Sequence, residues 1–205
     1  MQNPTPARQF TSLISRTLWI AFAAFAFSAL VCGAIGVMAS MLLSNSPTGL
    51  NAARQQPTDW GQWQFLFGMI GLVCVYLMHR LGRILLNPAR FWQGAGSLDE
   101  LGARLASQTA EGVTPGLFSD EQRREVRTKA LQHLFARIVL AHIVLWAIAE
   151  VPVILGLVAR FVGGGDERLF WGMFLMTGMA MFVRRPSRSV LNNILAPLGP
   201  SSEHP

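Results

Sequence analysis

Apolar positions along this chain are gathered into long blocks. They neither recur at the spacing of an amphipathic helix nor alternate as in a half-buried strand. The first block runs from Leu18 to Leu43 without a charge. At about 26 residues it exceeds the roughly 20 that a helix needs to cross a hydrocarbon core, and Ser44-Asn45-Ser46-Pro47 closes it as a turn. A second block begins near Trp60, after Asp59, and is apolar to Met78. Its helix is expected to continue past His79, Arg80 and Arg83 to about Leu86, because long cations snorkel and Pro88 is the first breaker. The third block is Ile138 to Ala159, bracketed by Arg137 and Arg160. The fourth, Leu169 to Val183, rises only about 22 Å, short for a core near 30 Å. It draws on Gly164 onward, with Asp166 as helix cap and Glu167 in the positively polarised first turn. The expected fold class is all-α, a polytopic membrane protein with four transmembrane helices.

Between and around these spans the chain divides as follows. Residues 1–17 precede the first span (18–43), and 44–59 form an external loop. The second span with its extension covers 60–86, and 87–119 is a loop. A long helix over 120–161 contains the third span, 162–165 is a short external loop, 166–185 is the fourth span and 186–205 the tail. Within the loop, Ser97-Leu98-Asp99-Glu100 has the spacing of a capping box and opens a short helix with Leu98, Leu101 and Leu105 on one face. Phe91 and Trp92, just after Pro88, suit an anchor at headgroup level. A second box, Ser119-Asp120-Glu121-Gln122, starts a run with no breaker until Pro152, so the third membrane helix is expected to begin outside the bilayer, near Asp120. The tail carries four prolines and one amphipathic patch, Val190, Leu191, Ile194 and Leu195. It reads as loose or lying on the membrane surface.

Charge gives these spans a direction. The 205 residues hold 17 Lys and Arg against 11 Asp and Glu, a net +6, and a sequence pI near 10.9. The N-terminus carries two cations, the stretch from Arg80 to Arg137 nine, and the tail three, whereas the opposite side holds only Arg54, Arg160 and Arg168. By the positive-inside rule both termini and the middle loop face the cytoplasm, and this accounts for the basic pI. No zinc spacing or aromatic RNA-binding motif accompanies the charge, so no nucleic-acid partner is expected. Only 14% of residues are charged and 51% are hydrophobic, whereas soluble domains are about one quarter charged. The first block is also too long for a cleaved signal peptide, whose apolar region spans roughly 7–15 residues. Cys32 and Cys74 lie inside apolar blocks, where they serve as small buried residues. The localisation expected is a bacterial inner membrane, with the lipid bilayer as the first partner and a second copy or a membrane protein as further candidates.

The chain carries no H-E-x-x-H, G-x-S-x-G or phosphate-loop motif, and no cysteine or histidine cluster at metal spacing. No enzyme activity, cofactor or metal is expected. Gly33 and Gly36, with Ala29 and Ser40, form small-x-x-x-small pairs that let another helix approach closely, within the bundle or across an oligomer seam. Gly156 and Pro152 are further helix-packing positions. Met173, Met176, Met179 and Met181 read as filler.

Glu150 stands apart. It lies about 18 Å along the helix from Ile138 and 13 Å from Ala159, which places it near the middle of the bilayer. A charged acid there costs several kcal/mol, so it is either neutral or facing a polar partner. His142 lies eight residues earlier, about 80° round the helix and 12 Å nearer the cytoplasm. The two are candidate proton- or ion-binding residues, or else mark the inward face of a bundle. Pro152 cannot donate to the carbonyl of Ile148, and this leaves that oxygen free one turn from the acid.

The stretch Ala147-Ile148-Ala149-Glu150-Val151-Pro152-Val153-Ile154-Leu155-Gly156-Leu157-Val158 resembles the ion-binding helix of the rotary ATP synthase c-subunit (proteolipid) family. The shared features are an acid within the membrane, small residues before it, a nearby proline and a glycine followed by aliphatics. The resemblance implies that Glu150 binds a proton or sodium ion. The chain differs from that family in having four expected spans, a long middle loop and no Gly-x-Gly track on the partner helix. Two functions follow as expectations: a non-enzymatic membrane protein acting by helix packing with itself or partners, or a small proton- or ion-coupled transport subunit centred on Glu150.

Overall fold

The computed structural model describes residues 6–45, 60–109, 120–163 and 167–198. The external loops of the sequence reading, the Ser119 of the second box and the Asp166 cap lie outside them. The described residues form seven α-helices and no strand: α1 (Pro6–Asn45), α2 (Trp60–Leu85), α3 (Pro88–Trp92), α4 (Leu98–Thr109), α5 (Asp120–Gly163), α6 (Glu167–Val183) and α7 (Arg188–Leu195), followed by a 3-10 turn at Ala196–Leu198. Three helices are long and apolar enough to cross a membrane, over Gln9–Leu42, Gln64–Leu85 and Asp120–Phe161. With 17 residues, α6 rises about 26 Å.

The chain splits into two compact units, and α1, α2 and α5 each contribute to both. One unit comprises residues 20–81 and 143–185. Its α1 segment buries Ala29, Gly33, Gly36 and Ala39 while Phe27, Leu30, Met38, Met41 and Leu42 face outward. Small residues inside and large apolar residues outside are the reverse of a water-soluble helix. The pattern suits backbones that approach closely while long side chains meet lipid. The glycines of this face are filled from α6: a Cβ at Gly33 would lie 2.7 Å from the Phe174 ring, and one at Gly36 would collide with the edge of the Phe170 ring. At Gly156 an added Cβ would be 3.2 Å from Met173 Cβ, so α5 and α6 also meet over a glycine. Met173 and Met181 are buried, as filler would be, but Met179 faces outward.

The other unit gathers residues 1–19, 82–142 and 186–205. Ala130, Leu134, Ile138 and Ala141 form one stripe of α5 and are buried, as are Ile14 and Leu18 of α1 and Leu101 of α4. A Cβ at Gly102 would lie 2.5 Å from Val126 Cγ1, and beside this crossing Arg127 donates to both oxygens of Asp99 at 2.9 Å. The pairing raises the Arg127 pKa, the Asp99 hydrogen bonds being the main cause. At the start of α4 the Ser97 hydroxyl accepts the Glu100 N–H at 3.3 Å. The reciprocal arm of the box reaches one residue further back, since Glu100 Oε2 takes the Gly96 N–H at 2.8 Å.

Two expectations about this unit are corrected. Phe91 and Trp92 are each only 3% exposed, so they are core residues rather than headgroup anchors. Over Arg188–Leu195 the tail is not loose, because α7 forms there and buries Leu191, Ile194 and Leu195. The Trp92 Nε1–H donates to the Ile194 carbonyl at 2.6 Å. Both corrections share one cause: the apolar patch of the tail and the aromatic pair after Pro88 cover each other. The start of α1 also differs, since the helix runs from Pro6, well before the apolar block begins.

Candidate functional site

Glu150 lies on α5 in the unit that also holds residues 20–81 of the chain. Its carboxyl faces the Ser28 hydroxyl of α1, and its Oε1 is buried without a hydrogen-bond partner. Ser28 itself is exposed and Glu150 is half-buried, so the pair opens on the outer surface of the bundle. Sequence reasoning overlooked Ser28. The signal was present, for Ser28 stands about 15 Å along α1 from Leu18 and Glu150 about 18 Å along α5 from Ile138. A hydroxyl and an acid therefore share similar depths on two helices that leave the same side.

One turn before the acid, Trp146 is fully buried. Its ring meets Phe22 edge-on with centroids 5.6 Å apart and Phe25 at 5.8 Å, and its Nε1–H donates to the Arg184 carbonyl at 3.1 Å. The Arg184 guanidinium in turn donates to the His79 carbonyl at 3.0 Å. Trp146, about 6 Å along α5 from Glu150, is thus linked to the residue that follows α6 and through it to His79 of α2. At the far end Arg160 donates to Ser40 Oγ at 3.1 Å, and this hydroxyl donates to the Gly36 carbonyl. Ten residues separate Glu150 from Arg160, about 15 Å of helix.

Pro152 is buried within α5, and a Cβ at Gly71 of α2 would lie 3.7 Å from its ring. The next residue, Val153, donates its N–H to Thr177 Oγ1 of α6 at 3.2 Å, and Thr177 is fully buried. The sequence reading attended to the carbonyl that proline frees and missed this donor. The lone hydroxyl in the apolar run Met173–Val183 was the available sign.

His142 belongs to the other unit. There it closes the middle of that unit's three segments; it is 3% exposed, and its Nδ1–H donates to the Ile138 carbonyl of its own helix at 2.8 Å, since a carbonyl can only accept. Gly33, Gly36, Pro152 and Gly156 all lie in the unit of Glu150, as seats for neighbouring side chains. Among the described residues no group of three His, Cys, Asp or Glu is placed to hold a metal. Cys32 and Cys74 are free thiols.

No family model, curated protein or solved structure matches this chain.

Proposed function

We propose that the chain is a four-span protein of a bacterial inner membrane, with both termini and the loop between α2 and α5 on the cytoplasmic side. On this reading it acts without catalytic chemistry, by packing its helices with a partner or a second copy. The observation that carries the reading is the outward face of α6. Leu175, Met179, Phe182 and Val183 are each 63–70% exposed, a surface that water does not tolerate on so short a helix and lipid does. Arg184 and Arg185 follow at its end, as a cytoplasmic terminus requires. Gly33, Gly36 and Gly156 are filled from within the bundle, whereas at Gly68 and Gly172 an added Cβ meets nothing within 4 Å. Gly178 is open in the same way, and on this reading Gly68 and Gly172 are places where another helix can come close. Reporter fusions test the topology: Arg54 and Gly165 should lie outside, and Gly112 and His204 inside. An odd number of spans sinks the reading. Purification in mild detergent tests the mode of action, which calls for a fixed oligomer or a stoichiometric membrane partner.

A second reading rests on the buried, unpartnered Oε1 of Glu150 and on the resemblance of its helix to the ion-binding helix of the rotary ATP synthase c-subunit family. Here Glu150 binds a proton or ion beside Ser28. A hydrophobic carbodiimide, which modifies protonated carboxyls reachable from lipid, separates the readings. In the transport reading Glu150 is labelled, more slowly as pH rises, and Glu150→Gln abolishes both labelling and ion flux in vesicles. In the packing reading Glu150→Gln is nearly silent, and Glu150→Leu destabilises by stranding the Ser28 hydroxyl, about 1 kcal/mol.

A further inference from the structure

An open cleft of about 280 Å³ lies between α1 and α6, lined by Phe22, Ala26, Ala29 and Leu30 on one side and Phe174, Gly178, Met181 and Phe182 on the other. Its lining is almost wholly apolar. Its floor is Ala29 and Met181, both buried, and its rim is Leu30 and Phe182, which stand 62% and 65% exposed. An added Cβ at Gly178 would meet nothing within 4 Å, so this glycine leaves space where its neighbours Gly33 and Gly36 do not. From Phe22 to Leu30 the cleft covers about 12 Å of helix rise, most of one leaflet of a hydrocarbon core near 30 Å. At one end of it the Arg185 guanidinium lies over the Phe182 ring, 4.7 Å from its centroid. That contact holds an exposed cation at the mouth of an apolar groove.

We infer that this cleft is a binding site for one anionic phospholipid of the cytoplasmic leaflet. One acyl chain lies along Ala26, Ala29 and Gly178, and the phosphate meets Arg185. The groove supplies a shape that a free chain in fluid lipid lacks. The arginine supplies a charge that a neutral headgroup does not need, and a basic group at the cytoplasmic end of a cleft between membrane helices is the arrangement that selects anionic lipids. A second protein helix would have to cover the same groove while burying Arg185 against its own apolar side chains, which the exposed guanidinium disfavours. The inference rests on the reading that α6 lies in the bilayer.

The test uses the full chain reconstituted in vesicles of equal phosphatidylglycerol and phosphatidylcholine, extracted in mild detergent, with retained lipid counted by mass spectrometry. The wild-type chain should keep phosphatidylglycerol over phosphatidylcholine by about fivefold, the attraction of one arginine for an anionic headgroup. Arg185→Gln, at an exposed position, should remove the preference without changing thermal unfolding. Gly178→Leu, which fills the groove where space is open, should lower retained lipid of both kinds severalfold. No anionic preference in the wild type, or unchanged retention in Gly178→Leu, overturns the proposal. So does a dimer that Gly178→Leu breaks, because the occupant is then a second copy. Gly178→Cys separates this failure from that of the underlying reading: labelling in intact vesicles by a charged maleimide would remove α6 from the bilayer altogether.

Discussion

Thr177→Val isolates one hydrogen bond between two buried helices. Valine replaces the hydroxyl by a methyl of similar size, so it opens no cavity at a fully buried site, and the loss falls on the Val153 N–H that donates to Oγ1. At 3.2 Å this bond is at the long end of the normal range. Interhelical bonds in membranes average about 0.6 kcal/mol and reach about 1.7, whereas a buried donor left without an acceptor costs about 1–3. The expected loss is therefore about 1 kcal/mol. Proline should determine how large it is. The Pro152 ring keeps α5 from closing its own ladder at this turn, and the Thr177 hydroxyl serves the donor beside it. In Pro152→Ala the ladder can close and the hydroxyl matters less, so Thr177→Val in that background should cost under about 0.5 kcal/mol, a coupling that a double-mutant cycle reads directly. The assay is reversible unfolding in mixed micelles titrated with a denaturing detergent, followed by the fluorescence of the tryptophans and by helicity. Equal losses in the two backgrounds would refute the reasoning, because Val153 would then keep a partner in its own helix whether or not proline is present.

Other consequences are open to measurement. Trp92→Phe removes the 2.6 Å bond to the Ile194 carbonyl and should destabilise by about 1–2 kcal/mol, with faster proteolysis of α7; unchanged cleavage would mean the helix is held by its apolar side chains alone. Gly36→Leu drives a side chain into Phe170, which is 1% exposed, and should abolish assembly, whereas Gly172→Ala meets nothing within its own chain and should stabilise the monomer by about 0.4–1 kcal/mol; thermal unfolding of the two variants as monomers should move in opposite directions. The Gly96 N–H and then Arg104 hold the Glu100 carboxyl below the usual carboxylate range. Its contribution is thus complete above the unfolded value of about 4.3 and is lost as pH falls through the lower folded value. Amide protection at the start of α4, taken relative to the intrinsic exchange rate at each pH, should stay flat from neutrality to about pH 5 and fall only below that value, and Glu100→Gln should erase the step.

What could be read from the sequence followed from constraints local to one helix. The blocks Leu18–Leu43 and Ile138–Ala159 announce themselves because a bilayer demands apolar residues in an unbroken run. The extension of α5 back to Asp120 follows from the absence of any breaker before Pro152. Gly33 and Gly36 were legible as packing positions because a missing side chain is useful only where something approaches, but Phe174 and Phe170 as the approaching rings were not. The pairing of Val153 with Thr177, the facing of Glu150 by Ser28 and the covering of Trp92 by α7 each join residues far apart in the chain. No periodicity in one segment encodes its partner. The hydrogen bonds that run from Trp146 to the Arg184 carbonyl and from the Arg184 guanidinium to the His79 carbonyl were hidden for the same reason, since they join three helices.

The contact between Trp92 and α7 also bears on the order in which the protein is made. Its two ends are 102 residues apart, and at about 5–20 residues per second a ribosome needs some 5–20 seconds to go from one to the other. Throughout that interval Phe91 and Trp92 exist without the helix that covers them, while α5 and α6 are still being synthesised. The unit that holds them cannot close until the last of its three chain segments has emerged. A nascent chain therefore presents a sticky aromatic pair for a fixed window, in reach of a chaperone, and a chain stopped before Leu191 presents it permanently.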